Sequence, residues 1–394
     1  MPASKSHANQ SALGTAAPVA LLRPIDLPPE LLGKPAPCDL FNERGVLLIK
    51  ATMPIPALIQ DPLWPVRLFC AAEHAHILST ADPALILQHV SARLSQLSAR
   101  ILHGEHVTPG ELSALAREVF DIWTLDADAC LGLARLAPHG QPSVWHAIHV
   151  ALIGAELGAA LGLDMERIQC VIGGALTMNL STLLLHDEMF NLIGAPTAAK
   201  RQALRQHPTE GVRCLLRIGK IQQPWIEAVG AHHENIDGSG YPEHLKGAEI
   251  PLSARMVRVA DTLAARLTGR KQRPPRHWNM RHARDIGHLA RHIFGADLAR
   301  LDLPLTLRLM SVLSRFPPGS LVRLSNSELA LVTRRNAAAN ASPRQVLALF
   351  DAYGNPYETP RPRRVYQGDC SIRGYAHDKL HTLPRYDWHR AWGY

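Results

Sequence analysis

The chain has 394 residues, 46% apolar and 19% charged, with 42 basic against 34 acidic side chains and a net charge of +8. That composition excludes a fibre and a wholly disordered chain, and the length suits two domains, or one with appendages, at about 150 residues each. The mild positive balance permits an anionic small molecule, a phosphate ester or nucleic acid, and selects none of them.

No stretch approaches the roughly 18 uninterrupted apolar residues of a membrane span. Residues 1–17 hold Lys5 but no apolar run behind it, unlike a secretory signal. The six cysteines, Cys38, Cys70, Cys130, Cys170, Cys214 and Cys370, include no CxxC pair. Their scatter argues against a disulfide scaffold or a zinc ribbon and suits a reducing, cytoplasmic setting.

In chain order, residues 1–30 mix Ser, Ala, Pro and Gln without periodicity and read as a flexible leader. Residues 31–60 read as a small β module: a polar turn ending at Gly45 leads into the apolar run Val46 to Ile49, a hairpin signal. From 61 to 140 the pattern is helical. Ile86, Leu87, Val90, Leu94 and Leu97 recur at three- and four-residue spacing, and Thr108-Pro109 opens a second helix. Residues 141–315 predict a larger helical domain. Ser143 caps a helix running to Leu161, and Asp164 starts one reaching about Leu185. A third runs from near Thr197 through His207 to about Ile218, a fourth spans 224–233, and a fifth runs from Leu252 to Leu267. Residues 316–355 carry short strand-like runs after Pro317-Pro318-Gly319, a second β module. The basic, aromatic tail 356–394 predicts little fixed structure.

The chemistry concentrates in His232-His233-Glu234-Asn235-Ile236-Asp237-Gly238-Ser239-Gly240-Tyr241-Pro242. Two adjacent histidines at a helix end, before a loop that two glycines and a proline keep out of helix, can aim both imidazoles into one cavity. Asp261 follows alone among apolar neighbours, where a carboxylate is costly unless paired or metal-bound. Upstream stand His146 and His207. Histidines and an aspartate drawn from several helices are how helical proteins build metal sites.

With these residues the sequence resembles the HD-GYP branch of the HD superfamily of metal-dependent phosphohydrolases, firmly over 143–275 and more loosely into the β module beyond 316. The resemblance implies a mainly α fold, an HD-type helical bundle flanked by small β modules. It implies hydrolysis of cyclic di-GMP at a centre of two or three divalent metals, Mn, Fe or Mg. It implies metal ligands at His146, His207, His232, His233 and Asp261, and ligand contacts at Gly240, Tyr241, Pro242, Arg270 and Arg273.

One part of the pattern departs from the family. The name-giving His-Asp pair should fall on Met178 and Asn179, and the lysine shortly after falls on Thr182. His186-Asp187 spells the pair eight residues late and aligns beyond the metal site. A thioether is a poor ligand for hard metals, and a neutral amide cannot bridge two dications. One metal rather than two is expected. A third is not, because Pro142 stands where members with three carry glutamate.

Each residue also has a structural reading. His146 could be a core histidine, and His149 reads as surface. Asp261 could pair with Arg255 or Arg258, the Gly-Tyr-Pro turn could serve packing alone, and Arg270, Lys271 and Arg273 could form a solvated basic face. Three functions stay open: a cyclic di-GMP phosphodiesterase weakened or silenced at its metal centre, a silent adaptor that binds the dinucleotide or docks a protein such as a diguanylate cyclase, and a one-metal phosphohydrolase of a smaller ester. No specific nucleic acid partner is expected.

Overall fold

The computed structural model describes residues 22–25, 27, 31–56, 59, 68–71, 74, 81–268, 286–336, 342–365, 370–376 and 388–394. They divide into two compact units, one of residues 1–80 with 124–126, the other of 81–123 with 127–394.

The first unit is an antiparallel sheet of β1 (Leu22–Ile25), β2 (Leu40–Phe41), β3 (Leu47–Ile49) and β4 (Leu68–Ala71), in the order β1-β4-β2-β3. The β2–β3 hairpin turns because the Asn42 side-chain oxygen accepts from the backbone N–H of Arg44 at 2.9 Å and of Val46 at 3.0 Å. Two expectations change here. Residues 22–25 are strand rather than leader, residues 1–21 lying outside the described set, and β4 interrupts the stretch read as helical from 61. In β4, Leu68 and Cys70 face inward at 5% and 0% exposure while Phe69 is half-buried, the period of two that a strand imposes.

The second unit is mostly helical. Its helices are α1 (Pro83–Leu102), α2 (Pro109–Leu125), α3 (Ala127–Leu136), α4 (Pro142–Ala160), α5 (Met165–Thr177), α6 (Leu183–Asn191), α7 (Ala198–Ile218), α8 (Gln223–Ala231), α9 (Leu252–Thr268), α10 (Ile286–Phe294) and α11 (Leu303–Val312). Side-chain caps set several starts. Asp82 accepts from Ala84 N, Asp164 from Arg167 N, Thr197 from Lys200 N and Asp302 from Leu305 N. The expected helix from Asp164 to about Leu185 is two helices, broken at Met178–Thr182 by a short 3₁₀ turn.

At the centre lies α4, buried on nearly every side against α3, α5, α9 and α11. By length and composition α4 and the stretch 165–191 could each cross a bilayer, but 83% and 72% of their apolar windows are buried inside the protein, as interior helices are. His149 on α4 is 3% exposed, against the surface position expected of it. Burial, with the charges of His146 and Arg135, lowers its pKa to about 3. The unfolded chain takes up this proton near pH 6.5 and the folded chain does not, so stability falls as pH drops from 6.5 toward 3. Between pH 7 and 5 the parent should lose about 2 kcal/mol more than His149→Gln in urea denaturation. Equal losses would remove His149 from the acid sensitivity.

After α11 comes an antiparallel sheet of β5 (Leu321–Leu324), β6 (Leu329–Arg334), β7 (Gln345–Phe350), β8 (Pro356–Arg363) and β9 (Ile372–Tyr375), ordered β8-β7-β6-β5-β9. The tail read as unstructured thus supplies both edge strands. Pro360 and Pro362 fit β8 because it is an edge, where a missing N–H breaks no inner ladder. Glu328 fastens β8, accepting from Arg363 Nε at 2.9 Å and from the Tyr357 hydroxyl at 2.7 Å. Trp392 folds back onto α3, where a Cβ on Gly132 would sit 2.1 Å from its ring, and donates from Nε1 to Thr333 O at 2.9 Å.

Candidate metal centre

The helices approach closely where small residues allow it. A Cβ on Gly173 or Gly174 of α5 would lie 2.4 Å from Trp225 or 2.5 Å from Ala228, and one on Gly211 of α7 would lie 2.9 Å from Val229. These contacts seat α8 between α5 and α7. Trp225 Nε1 donates to Thr177 Oγ1 at 2.8 Å and fixes its rotation. The end of α8 then delivers His232 and His233 beside His207 of α7.

Two features of the backbone set the imidazoles. Pro208 has no N–H, so the Leu204 carbonyl, which would accept from it in a regular helix, is free inside α7. His207 Nδ1 donates to that carbonyl at 2.6 Å. Val229 presents one of the unpaired carbonyls at the end of α8, and His232 Nδ1 donates to it at 2.8 Å. Both rings therefore carry hydrogen on Nδ1 and a lone pair on Nε2, and the two Nε2 atoms face each other at 3.0 Å. Burial lowers the pKa of His207 and takes that of His232 to about 3, which favours the neutral form of both rings.

Two facing lone pairs repel unless a cation lies between them. Nitrogens each about 2.0–2.1 Å from one metal ion, at right angles, stand roughly 3.0 Å apart. His233 completes the group: the donor atoms of His207, His232 and His233 all lie within 4.8 Å of one another. Burial and its two neighbours hold His233 well below the usual histidine range. Three neutral imidazoles, two of them with tautomers fixed by backbone carbonyls, are a donor set that fits a divalent metal.

The other predicted ligands stand apart from this group. His146 Nε2 donates to Asp261 Oδ1 at 2.8 Å. Burial would raise the Asp261 pKa, but the His146 hydrogen bond and the positive charge of Arg258 outweigh it and hold the carboxylate ionised. Met178 is fully buried and Asn179 is 4% exposed. Asn179 Oδ1 and Thr182 Oγ1 are both buried with no hydrogen-bond partner among the described residues. These two orphaned oxygens stand where the resemblance puts the family's aspartate and lysine. The late pair is divided. His186 lies edge-on to His207 with ring centroids 5.6 Å apart, nearer the centre than the alignment placed it, while Asp187 accepts from Ser143 N at the start of α4.

The Gly-Tyr-Pro loop closes over the histidines. The Tyr241 ring stacks on His233 at 4.8 Å and 26°, and Tyr241 N donates to His233 O at 3.2 Å. Burial raises the Tyr241 pKa. At Gly240 a Cβ would lie 2.4 Å from Asn235 N and Glu234 Cα, so the backbone itself demands glycine there. Pro242 follows through a cis peptide bond. Glu234, 1% exposed, accepts from Glu243 N at 2.7 Å and ties the loop down. Arg270 and Arg273 lie outside the described residues. Sequence reasoning passed over Pro208 and Glu234, although the Gln-His-Pro run and the acidic residue after the histidine pair were signals for both.

Comparison with known proteins adds the following. Residues 127–291 match the family described as HD domain. A cyclic di-GMP phosphodiesterase of Pseudomonas aeruginosa is 26% identical over 335 residues, 83% of this chain and 74% of that protein. The 3'3'-cGAMP-specific phosphodiesterase 1 of Vibrio cholerae is 30% identical over 154 residues, 38% of this chain and 36% of that protein. A cyclic di-GMP phosphodiesterase response regulator of Xanthomonas campestris is 35% identical over 127 residues, 31% of this chain and 32% of that protein. The chain therefore spans about a third of the length of the last two.

Proposed function

We propose that this chain, whose residues 127–291 match the HD domain, is an HD-GYP-type phosphohydrolase of a cyclic dinucleotide whose centre holds one divalent metal and turns over slowly. The observation that carries the reading is the pair of neutral Nε2 atoms facing each other at 3.0 Å, with His233 beside them. His207, His232 and His233 would hold the metal, with the unpartnered Asn179 oxygen as a neutral candidate to join them. When bound, such a metal polarises a phosphoryl oxygen and lowers the pKa of its water.

The chain's own groups account for the rest. His146 and Asp261 are bonded to each other at 2.8 Å, a contact that a second metal would have to displace. Asn179 replaces the negative charge that would join two metals. His146 carries its hydrogen toward Asp261 and is placed to pass a proton across that 2.8 Å contact. Tyr241, stacked on His233, covers the histidines and limits water. Cyclic di-GMP and 3'3'-cGAMP, the substrates named for the relatives, are the first to test.

The experiment is hydrolysis of each dinucleotide by the purified chain with Mn(II), or with Fe(II) without oxygen, products being resolved by chromatography. Met178→His/Asn179→Asp should raise turnover by about 10²-fold or more, the scale of one well-placed charged group. A parent already as fast as the double variant would show the altered pair to be no handicap. A double variant with no gain would remove Met178 and Asn179 from the metal site. The silent adaptor is favoured by the charge lost at Asn179, and it takes over if the parent binds a dinucleotide without turning it over.

A further inference from the structure

One side of α9 carries Arg255, Arg258 and Asp261 at three-residue spacing. The two arginines are met differently. Nε of each is buried without an acceptor. Arg255 has its charge answered by Asp302 at 2.7 Å. Arg258 does not. Among the described residues its one short bond is from a terminal nitrogen to the neutral side-chain oxygen of Asn235, at 3.0 Å. The carboxylate within reach, Asp261, lies 4.0 Å away and is already engaged by His146 at 2.8 Å. A guanidinium with 19% of its side chain exposed thus stands beside the candidate metal centre with its charge under-compensated.

The arrangement of exposure shows what it faces. His207 and His232 are buried at 1% and 0%. His146, His233, Tyr241, Arg258 and Asp261 are each only partly covered and together form the open rim above them. Arg258 also acts electrostatically on His232, His233, Tyr241 and Asp261, which places its charge among all of them. On that rim the one anion is Asp261. A group approaching the histidines from solvent meets a cation with hydrogens to spare, and a phosphate oxygen is the acceptor that suits a guanidinium fork.

We propose that Arg258 is a ligand-positioning residue that holds a phosphate oxygen at the mouth of the histidine centre. The proposal rests on the phosphohydrolase reading for its ligand class, and Arg258 is a position to which neither the motif nor the carried-over basic residues Arg270 and Arg273 pointed. Asn235 supports it by orienting one terminal nitrogen, which leaves the remaining hydrogens free.

The test uses the full chain, with and without Mn(II), titrated with inorganic phosphate and separately with cyclic di-GMP, by calorimetry. Arg258→Gln should weaken phosphate by about tenfold or more in both metal conditions, the scale of one charge-assisted hydrogen bond. Arg258→Lys should restore most of the affinity, since the charge returns. Asn235→Ala, which removes the supporting bond and keeps the cation, should lose about threefold or less. Phosphate affinity unchanged in Arg258→Gln, or a parent that binds no phosphate, overturns the proposal. So does an equal loss in Asn235→Ala, which would make Arg258 a loop tether only. Phosphate binding that depends on Arg258 in a chain that ignores cyclic di-GMP supports the phosphate position and overturns only the substrate reading.

Discussion

His232→Ala should strip the chain of tight divalent metal binding, with a loss larger than the roughly 10–100-fold typical of an outer-shell partner. His232 is 0% exposed, faces His207 Nε2 at 3.0 Å and packs on His233 at 4.3 Å between ring centroids, so its loss removes one of the three grouped donors. A sharper companion is Pro208→Ala. Alanine restores an N–H that competes for the Leu204 carbonyl now held by His207 Nδ1. The helix should gain stability, by up to about 3 kcal/mol on intrinsic propensity. Metal affinity should fall by about 10–100-fold as His207 loses its fixed tautomer. Calorimetric titration with Co(II) or Mn(II), alongside melting curves, measures both. A Pro208→Ala chain that binds metal as tightly as the parent would sever the backbone carbonyl from the tuning of the site, and a His232→Ala chain that does so would end the three-histidine reading.

The largest effect on stability is expected at Arg335. Its Nε pairs with Asp128 Oδ1 at 2.5 Å, its terminal nitrogens with Glu156 at 2.8 and 2.9 Å, and Trp123 Nε1 donates to the same Glu156 at 3.0 Å. Side-chain exposure is 14% for Arg335 and 6% for Glu156. Arg335→Met removes one cation and leaves two largely buried carboxylates facing each other, a loss of about 3–5 kcal/mol. At roughly 2–4 °C per kcal/mol in a unit of this size, the melting temperature should drop by about 10 °C. Glu156→Gln should cost less, since Asp128 still answers Arg335. If Glu156→Gln is the more damaging of the two, the charge argument fails and packing around Trp123 explains the cluster.

Much of the fold was legible because local chemistry and tertiary need agreed. Asp164 and Thr197 cap the helices expected to start at them, and the two glycines and proline of the motif keep its loop out of helix, whereas Ser143, read as a cap, lies inside the first turn of α4, whose cap position is Gln141. What escaped depends on partners far along the chain. The alternation in Leu68 to Ala71 is too short to announce a strand before β1 and β2 flank it. Residues 356–363 read as disordered because proline and arginine are weak strand formers, and only Glu328 and the neighbouring β7 hold them as an edge. His149 looked like a surface residue because its spacing from His146 suggested one exposed face, whereas α4 has none. At the site the spacing of histidines was readable. The facing lone pairs, the His146–Asp261 bond and the under-compensated Arg258 exist only once four helices meet.

The clamp at Arg335 also bears on how the protein is made and handled. Asp128 and Arg335 stand 207 positions apart in sequence. During synthesis α3 and α4 leave the ribosome long before the cation that neutralises them, so the helical core passes through a stage in which Asp128 and Glu156 are better left hydrated than packed. An excised fragment ending near residue 315 would be arrested at that stage. The β module after α11 is thereby a late-arriving counterion for the helical domain, and expression designs that keep the two together are the ones expected to yield a cooperative fold.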